Sequence, residues 1–191
     1  MDFSAADRAR RIRLILFDVD GVLTDGKIWS LPATIEATPD KTFEPKGFHA
    51  HDGIGISLAR IGGIHTGVIT KRTSETVAQR ARALRMDYVY MGQNYKIRAV
   101  SDIMQKGSLT LEQIAYVGDD VIDLPVMRVC GLAIAAANAR DQVKAAAHYI
   151  TPRAGGEGAG RDAIDFILQA HGILDQCIEE YIDEHHATGP Q

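Results

Sequence analysis

The sequence predicts an α/β fold, a Rossmann-like parallel sheet with helices on both faces and a small β-hairpin insert after the first strand. Three observations indicate this fold. Short apolar runs alternate with helical patterns along the chain, as in parallel sheets. The run LILF at 14–17 is apolar throughout, which is typical of a strand buried on both sides. The stretch 27–48 breaks the alternation with one tryptophan and three prolines among threonines, and it is predicted to be the hairpin insert.

The first predicted strand ends in two aspartates, Asp18 and Asp20, within the sequence LILFDVDGVLTDG. Ligands of open α/β sheets bind at the carboxyl ends of strands, and Gly21 permits the sharp turn that a site there requires. Asp18 could ligate a hard cation or attack phosphorus, and Asp20 could exchange a proton with a leaving group. A bare Asp-x-Asp after a strand is also typical of a turn closed by an Asx hydrogen bond.

The second predicted strand, 65–70, ends in the hydroxyl residue Thr70. The polar residues after it indicate a helix start, with Thr73 or Ser74 as the N-cap. The Thr70 hydroxyl and the next backbone amides could hold a phosphoryl oxygen. A threonine in this position is equally typical of an ordinary strand residue.

A lysine follows the short third strand, predicted at 88–90. Lys96 opens a helical pattern over 96–104, and from this position its ammonium could neutralise a phosphate. An isolated lysine there would also fit a solvated helix face.

The fourth predicted strand, 114–117, leads into the acidic motif GDDVID. Asp119 and Asp120 would stand at the same sheet edge as the first motif, with Asp123 one helical turn further on. Carboxylates gathered there would repel one another without a cation. Aspartates at helix N-termini also complement the helix dipole, so we expect Asp120 and Asp123 to support the site from behind.

The rest of the chain contains a glycine-rich segment, GGEGAG at 155–160, and a helical pattern at 161–170. The glycines could place amides near an anion or form only a hinge. Apolar residues at helical spacing recur in the final segment, 174–191, before a polar end. We predict one domain over 1–175 and a C-terminal tail over 176–191.

In the order Asp-x-Asp, Thr, Lys, GDDxxD, these residues resemble the haloacid dehalogenase superfamily of phosphotransferases. The stretches similar to its 3-deoxy-D-manno-octulosonate 8-phosphate phosphatase family are KGFHAHDGIGISLARIGGIHTGVIT (46–70), YMGQNYKIRAV (90–100), AYVGDDVIDLPVMRVCGLAIAAANA (115–139) and GGEGAGRDAIDFILQAHG (155–172). The resemblance implies a capless domain, magnesium dependence, a homotetramer and a part in lipopolysaccharide biosynthesis.

Residue by residue, the resemblance makes Asp18 the nucleophile that forms an aspartyl-phosphate and Asp20 the general acid and then the base. It implies that magnesium is bound by the carboxylates of Asp18 and Asp119 and by the backbone carbonyl of Asp20. The residues implied to bind phosphate or substrate are Thr70, Lys71, Arg72, Arg80 and Lys96. Arg80 could act from a neighbouring subunit or be an ordinary helix-surface arginine.

Three departures from the family pattern bear on substrate identity. Lys71 stands where the family usually has glycine, and it adds a charge. His51 and Ser57 stand where the family has arginines, which recognise a carboxylate through two parallel hydrogen bonds. A nonulosonate 9-phosphate or another sugar phosphate is therefore the alternative substrate. His49 and His51 could be metal ligands, but no cysteine or third histidine has a suitable spacing, and a pair of strand histidines without a metal is favoured.

Two other classes of function are weighed against an enzyme. A phosphorylatable receiver domain also uses magnesium and an aspartyl-phosphate, but its lysine comes last, whereas here the GDD motif follows Lys96. A catalytically idle oligomerising module is the second alternative, and the retention of every acidic position weakens it.

Composition fits a compact enzyme. The 191 residues are 46% hydrophobic and 24% charged, with a formal net charge of −4 and no basic tract for nucleic acid. Cys130 and Cys177 lack metal-site spacing and need no disulfide. The arginine-rich start does not resemble a signal peptide, and no apolar run approaches the ~18 residues of a membrane span. We expect a cytoplasmic enzyme for a small sugar phosphate, without nucleic-acid or membrane partners.

Overall fold

Six parallel strands form one sheet in the computed structural model, which describes residues 3–29 and 45–186. The strands are β1 (Leu14–Phe17), β2 (His65–Ile69), β3 (Tyr88–Tyr90), β4 (Ile114–Gly118), β5 (Leu132–Ala135) and β6 (Tyr149–Ile150). Their order across the sheet is β3-β2-β1-β4-β5-β6, and every neighbouring pair is parallel. The predicted parallel sheet is confirmed, with β1 at its centre.

Helices cover both faces of this sheet. They are α1 (Ala5–Ala9), α2 (Ala50–Ile61), α3 (Glu75–Ala83), α4 (Lys96–Gly107), α5 (Leu124–Met127), α6 (Asp141–Ala146), α7 (Ala159–His171) and α8 (Leu174–His186). Side chains of β1 alternate between the faces, as the period of a strand requires. Ile15 and Phe17 join the cluster that contains residues of α2 and α7, whereas Leu14 and Leu16 join the cluster that contains residues of α4 and α5.

The segment after the insert differs from its prediction. We expected His49 and His51 on a strand, and this was wrong, because His49 is the N-cap of α2 and His51 lies in its first turn. The Nδ1 atom of His49 accepts a hydrogen bond of 3.3 Å from the backbone N–H of His51, and the two rings meet edge to face. Most of the predicted hairpin, 30–44, lies outside the described residues.

The C-terminal segment is helical from Leu174 to His186, which agrees with its apolar spacing. Cys177 is buried, and Ile178 and Tyr181 pack against the same core cluster as α2 and α7. Within the described ranges we find no helix that is both long and apolar enough to cross a membrane.

Candidate active site

A cavity of about 260 Å³ opens at the carboxyl ends of β1, β2 and β4. Its lining residues are Asp18, Asp20, Gly26, Thr70, Lys71, Arg72, Lys96, Asp119, Asp120 and Ile122. The fold therefore gathers eight of the ten predicted site residues around one opening. The other two, Asp123 and Arg80, do not line the cavity, although Asp123 lies directly behind it, 2.8 Å from the Lys96 ammonium.

The loop after β1 turns at Gly21, whose φ of +90° is unfavourable for any residue with a Cβ. A Cβ at this position would also overlap the Asp119 carboxylate. Gly21 thus permits the loops after β1 and β4 to touch. This contact brings the two acidic motifs, which are a hundred residues apart in the chain, to the same site.

The glycine-rich segment 155–160 packs against the loop after β1. A Cβ on Gly155 would overlap the Gly21 carbonyl, and the N–H of Gly156 donates to the Val22 carbonyl over 3.1 Å. The N–H of Gly155 donates to the Asn138 side chain over 2.8 Å. Both amides already have protein acceptors, so close backbone packing explains these glycines better than an anion site.

The Lys96 ammonium is buried between two carboxylates. It lies 2.8 Å from an Asp18 oxygen, 2.8 Å from an Asp123 oxygen and 3.1 Å from the Tyr116 hydroxyl. These contacts use all three of its N–H donors. Lys96 therefore fixes the orientation of Asp18 and offsets part of its charge where water cannot.

Asp123 is fully buried and joins this lysine to the acidic loop. One of its oxygens accepts from Tyr116 over 2.7 Å and from Lys96 over 2.8 Å. The other accepts from the backbone N–H groups of Asp119 and Asp120 over 3.0 and 3.3 Å. Asp123 thus holds the loop that carries Asp119, while the Asp120 side chain accepts from the backbone of Val121 as an N-cap.

The geometry suits a hard divalent cation. Asp18, Asp119 and Asp123 each offer an oxygen, and the three oxygens lie within 4.8 Å of one another. One Asp119 oxygen is buried and has no hydrogen-bond partner among the described residues, whereas the Asp123 oxygens are already engaged. Magnesium prefers such oxygen ligands, and this orphaned oxygen favours Asp119 over Asp123 as a ligand beside Asp18.

Burial raises the pKa values of the two candidate metal ligands. The pKa of Asp119 rises to about 7, because of desolvation and then repulsion from Asp123 and Asp18. The pKa of Asp18 rises to about 6, again through desolvation and then through Asp123, although Lys96 opposes the change. Below about pH 6 the two carboxylates would therefore hold protons that a bound cation expels.

We expect magnesium to stabilise the fold more at about pH 8 than at about pH 5.5. The stabilisation that protons give Asp18 and Asp119 is complete below the unfolded pKa of ~4 and is lost as pH rises through about 6 and 7. Cation binding replaces that loss only where the carboxylates are ionised. The measurement is the change in Tm between magnesium and EDTA at the two pH values.

The Asp119→Asn variant is the control for this titration. It should lose the magnesium response and be more stable than the wild type near pH 8 without metal. Burial also raises the pKa of Asp52 to about 6 outside this cavity, so part of the pH dependence will persist in the variant. Equal magnesium shifts at both pH values would contradict the prediction.

The loop after β2 contributes a hydroxyl and two cations. Thr70 is buried, and its hydroxyl accepts from the backbone N–H of Arg72 over 3.3 Å, which leaves its own proton for an oxygen in the cavity. Arg72 approaches the second oxygen of Asp20, with Nε at 4.0 Å. Lys71 is exposed at the rim. The helix that follows begins after Ser74, whose side chain makes no capping hydrogen bond.

Arg80 does not line this cavity. It borders a separate, mostly apolar pocket beside Phe48 and Asp52, and its buried Nε has no partner within the described ranges. His51 and Ser57 are also absent from the cavity lining. Contact of Arg80 with substrate from a neighbouring subunit stays a prediction.

Two contacts were missed by sequence reasoning. The Tyr116 hydroxyl donates to Asp123 from inside a strand that the pattern indicates only as apolar. Lys46 forms an ion pair with Asp20 although it precedes α2 and lies outside every motif. The stretch that begins at Lys46 resembles the family, but nothing in its spacing indicates this contact.

Comparisons with known proteins agree with the geometry. The model of a haloacid dehalogenase-like hydrolase family matches residues 71–160. The chain is 40% identical over 170 residues to the 3-deoxy-D-manno-octulosonate 8-phosphate phosphatase KdsC of Escherichia coli strain K12. The aligned residues cover 89% of this chain and 86% of that protein.

Solved structures are also similar to this chain. The 3-deoxy-D-manno-octulosonate 8-phosphate phosphatase from Yersinia pestis has a TM-score of 0.82 and 37% identity, covering 90% of this chain and 88% of that one. The enzyme of that name from Moraxella catarrhalis, in complex with magnesium ion, phosphate ion and KDO molecule, has a TM-score of 0.85 and 33% identity, covering 93% and 97%.

Proposed function

Because the chain belongs to the 3-deoxy-D-manno-octulosonate 8-phosphate phosphatase family of haloacid dehalogenase-like hydrolases, we propose that it hydrolyses that sugar-acid phosphate, or a similar one, in a magnesium-dependent reaction. The observation that carries the proposal is the position of Asp18. One of its oxygens lies 2.8 Å from the Lys96 ammonium, in the cavity that Asp20 and Asp119 also line. A nucleophile, a proton donor and a cation ligand thus share one opening.

In the first half of the reaction, an oxygen of Asp18 forms a bond to phosphorus while the bond from phosphorus to the sugar oxygen breaks. Asp20 gives its proton to that sugar oxygen, so the sugar leaves as a neutral alcohol. Lys96 holds Asp18 in line, and Thr70, Lys71 and Arg72 offer donors to the phosphoryl oxygens. The product of this half is an aspartyl-phosphate on Asp18.

In the second half, Asp20 accepts a proton from water as the water oxygen attacks phosphorus. The bond between phosphorus and Asp18 then breaks, which releases inorganic phosphate and restores the carboxylate. The proposed magnesium ligands are the carboxylates of Asp18 and Asp119 and the backbone carbonyl of Asp20. A bound magnesium ion would supply the positive charge that lets a carboxylate approach a phosphate dianion.

The proposal extends to the assembly and location of the enzyme. A homotetramer in the cytoplasm is what the family resemblance implies for this chain. At the start of the insert, Ile28 and Trp29 expose 58% and 57% of their surface, which suits a contact between subunits. Light scattering coupled to gel filtration measures the number of subunits directly.

The identity of the sugar is the finer part of the proposal. Lys71 adds a cation at the cavity rim where the family usually has glycine, and the arginines that His51 and Ser57 replace would have offered carboxylate recognition. A nonulosonate 9-phosphate is therefore the alternative substrate. Both compounds present a phosphate on a primary alcohol and a carboxylate at the far end.

Phosphate release from a panel of sugar phosphates, with magnesium and with EDTA, tests the proposal. The panel contains 3-deoxy-D-manno-octulosonate 8-phosphate, nonulosonate 9-phosphates and simple hexose phosphates, with Asp18→Asn as the inactive control. Magnesium-dependent turnover of one sugar-acid phosphate, absent from the variant, is the expected result. A folded, magnesium-binding protein that releases no phosphate from any member would overturn the proposal in favour of an idle oligomerising module.

A further inference from the structure

Lys46 is buried against the proposed general acid. Its side chain is 4% exposed, and its ammonium forms an ion pair with one oxygen of Asp20. No other residue in the described ranges accepts a hydrogen bond from this ammonium. Burying an ammonium group costs free energy unless an opposite charge lies next to it. Asp20 supplies that charge for Lys46.

The two oxygens of Asp20 have different surroundings. Oδ1 contacts the Lys46 ammonium, whereas Oδ2 is on the side of Arg72, with 4.0 Å to its Nε. Arg72 and Asp20 line the cavity, and Lys46 does not. The lysine therefore contacts the Asp20 carboxyl group from the side away from the cavity. The second oxygen, Oδ2, is the one available to a ligand in the cavity.

We propose that Lys46 is a positioning residue that holds Asp20 in the orientation for proton transfer to the leaving group. Its ammonium occupies one carboxyl oxygen, so the proton is carried by the other oxygen and passes to the sugar oxygen as the bond from that oxygen to phosphorus breaks. Asp20 is left as a carboxylate, and the adjacent ammonium stabilises this charge as it forms. The inference deepens the proposed function and rests on it.

The competing explanation is purely structural. Lys46 lies four residues before α2, where the chain returns from the predicted insert, and the ion pair could serve only to anchor that segment to the loop after β1. Removing a structural anchor would slow the reaction of every substrate alike. Asp20 also serves the second half of the reaction, which all substrates share, so the selective quantity is kcat/KM, which reports the steps up to departure of the leaving group. Removing a positioning residue for the general acid would lower kcat/KM only for substrates whose leaving group needs a proton.

Two substrates with different leaving groups separate these explanations. The alcohol of a sugar phosphate is a poor leaving group that requires protonation, whereas p-nitrophenolate departs without it. For the sugar phosphate that the panel identifies, Lys46→Met should lower kcat/KM by about 50-fold through kcat, with KM changed less than about threefold. For p-nitrophenyl phosphate, kcat/KM should change by less than about threefold.

Two further variants and one control complete the experiment. Lys46→Gln keeps a hydrogen-bond donor without the charge and should show the same selective loss, and Lys46→Arg should recover most of the lost kcat. Lys27→Met removes an exposed lysine that pairs with Asp25 near the same loop and should behave as wild type. Thermal unfolding of each variant reports whether it is folded.

The outcomes distinguish this inference from the proposed function. A loss of kcat/KM of equal size on both substrates, or an effect on KM alone, would overturn the positioning role of Lys46 while the phosphatase assignment stands. If the folded wild type released phosphate from neither substrate, the proposed function itself would be overturned, together with the role of Lys46.

Discussion

Replacing Asp18 by asparagine is expected to lower the turnover of the phosphate ester by at least about 10⁴-fold, because an amide cannot form the bond to phosphorus that we propose for the carboxylate. Asparagine has nearly the same shape and can still contact Lys96. It also removes one of the carboxylates that repel one another in the metal-free site, so the variant should fold with undiminished stability.

The nucleophile is tested most directly by trapping. Acid quenching of wild-type protein with radiolabelled substrate should leave label on the protein, and Asp18→Asn should leave none. Asp25→Asn alters an exposed aspartate near the same loop and should keep the wild-type rate. A residual rate above about a hundredth of wild type in the Asp18 variant would contradict its role as nucleophile.

The Lys96→Met variant is expected to lose both stability and activity. The Lys96 side chain is 1% exposed and its ammonium lies 2.8 Å from both Asp18 and Asp123, so its removal leaves two buried carboxylates without their counter-charge. We expect a loss of about 3 kcal/mol in the free energy of unfolding, typical of a broken buried ion pair. We also expect a fall of about 10³-fold in kcat, because Asp18 is no longer held or screened.

A second substitution separates these two effects. In Lys96→Met/Asp123→Asn one of the two uncompensated charges is removed and that of Asp18 remains, so part of the lost stability should return while kcat stays low. Lys106→Met replaces an exposed lysine of the same helix that pairs with Asp102, and it should change neither quantity appreciably. Recovery of kcat in the double variant would contradict a direct role for Lys96.

The sheet was predictable because its signal is local. The strand β1 is apolar at every position and buried on both faces. The place of each predicted site residue in the fold depends only on where the strand before it ends. The sequence pattern alone therefore predicts that Thr70, Lys96 and Asp119 lie at the cavity, because parallel strands share one carboxyl edge.

The start of α2 was not predictable from the sequence because this helix depends on tertiary contacts and not on a local signal. Its sequence carries Gly53 and Gly55, which disfavour a helix in isolation. A Cβ on Gly53 would lie 2.7 Å from a guanidinium nitrogen of Arg80, and one on Gly55 would lie 3.0 Å from Cδ of Arg161. The glycines permit close packing against α3 and α7, and this tertiary packing overrides local propensity.

The contacts of Lys46 and Tyr116 escaped prediction because they depend on three-dimensional neighbours. Lys46 meets a carboxylate 26 positions earlier, across the predicted insert. The Tyr116 hydroxyl meets Asp123 only because a short turn brings the chain back over the end of β4. Neither partner can be inferred from periodicity, which reports which face of an element is buried and not what that face touches.

The position of β1 at the centre of the sheet has a consequence for synthesis on the ribosome. Leu14 pairs with His65 on one side and with Ile114 on the other, so one edge of β1 has no partner until far more of the chain has emerged. Asp18 is translated before Asp119 and before Gly155 and Gly156, which pack against the loop that carries Gly21. A nascent chain therefore carries the proposed nucleophile before the rest of its site exists, and the site is complete only after residues 155–160 have emerged from the ribosome.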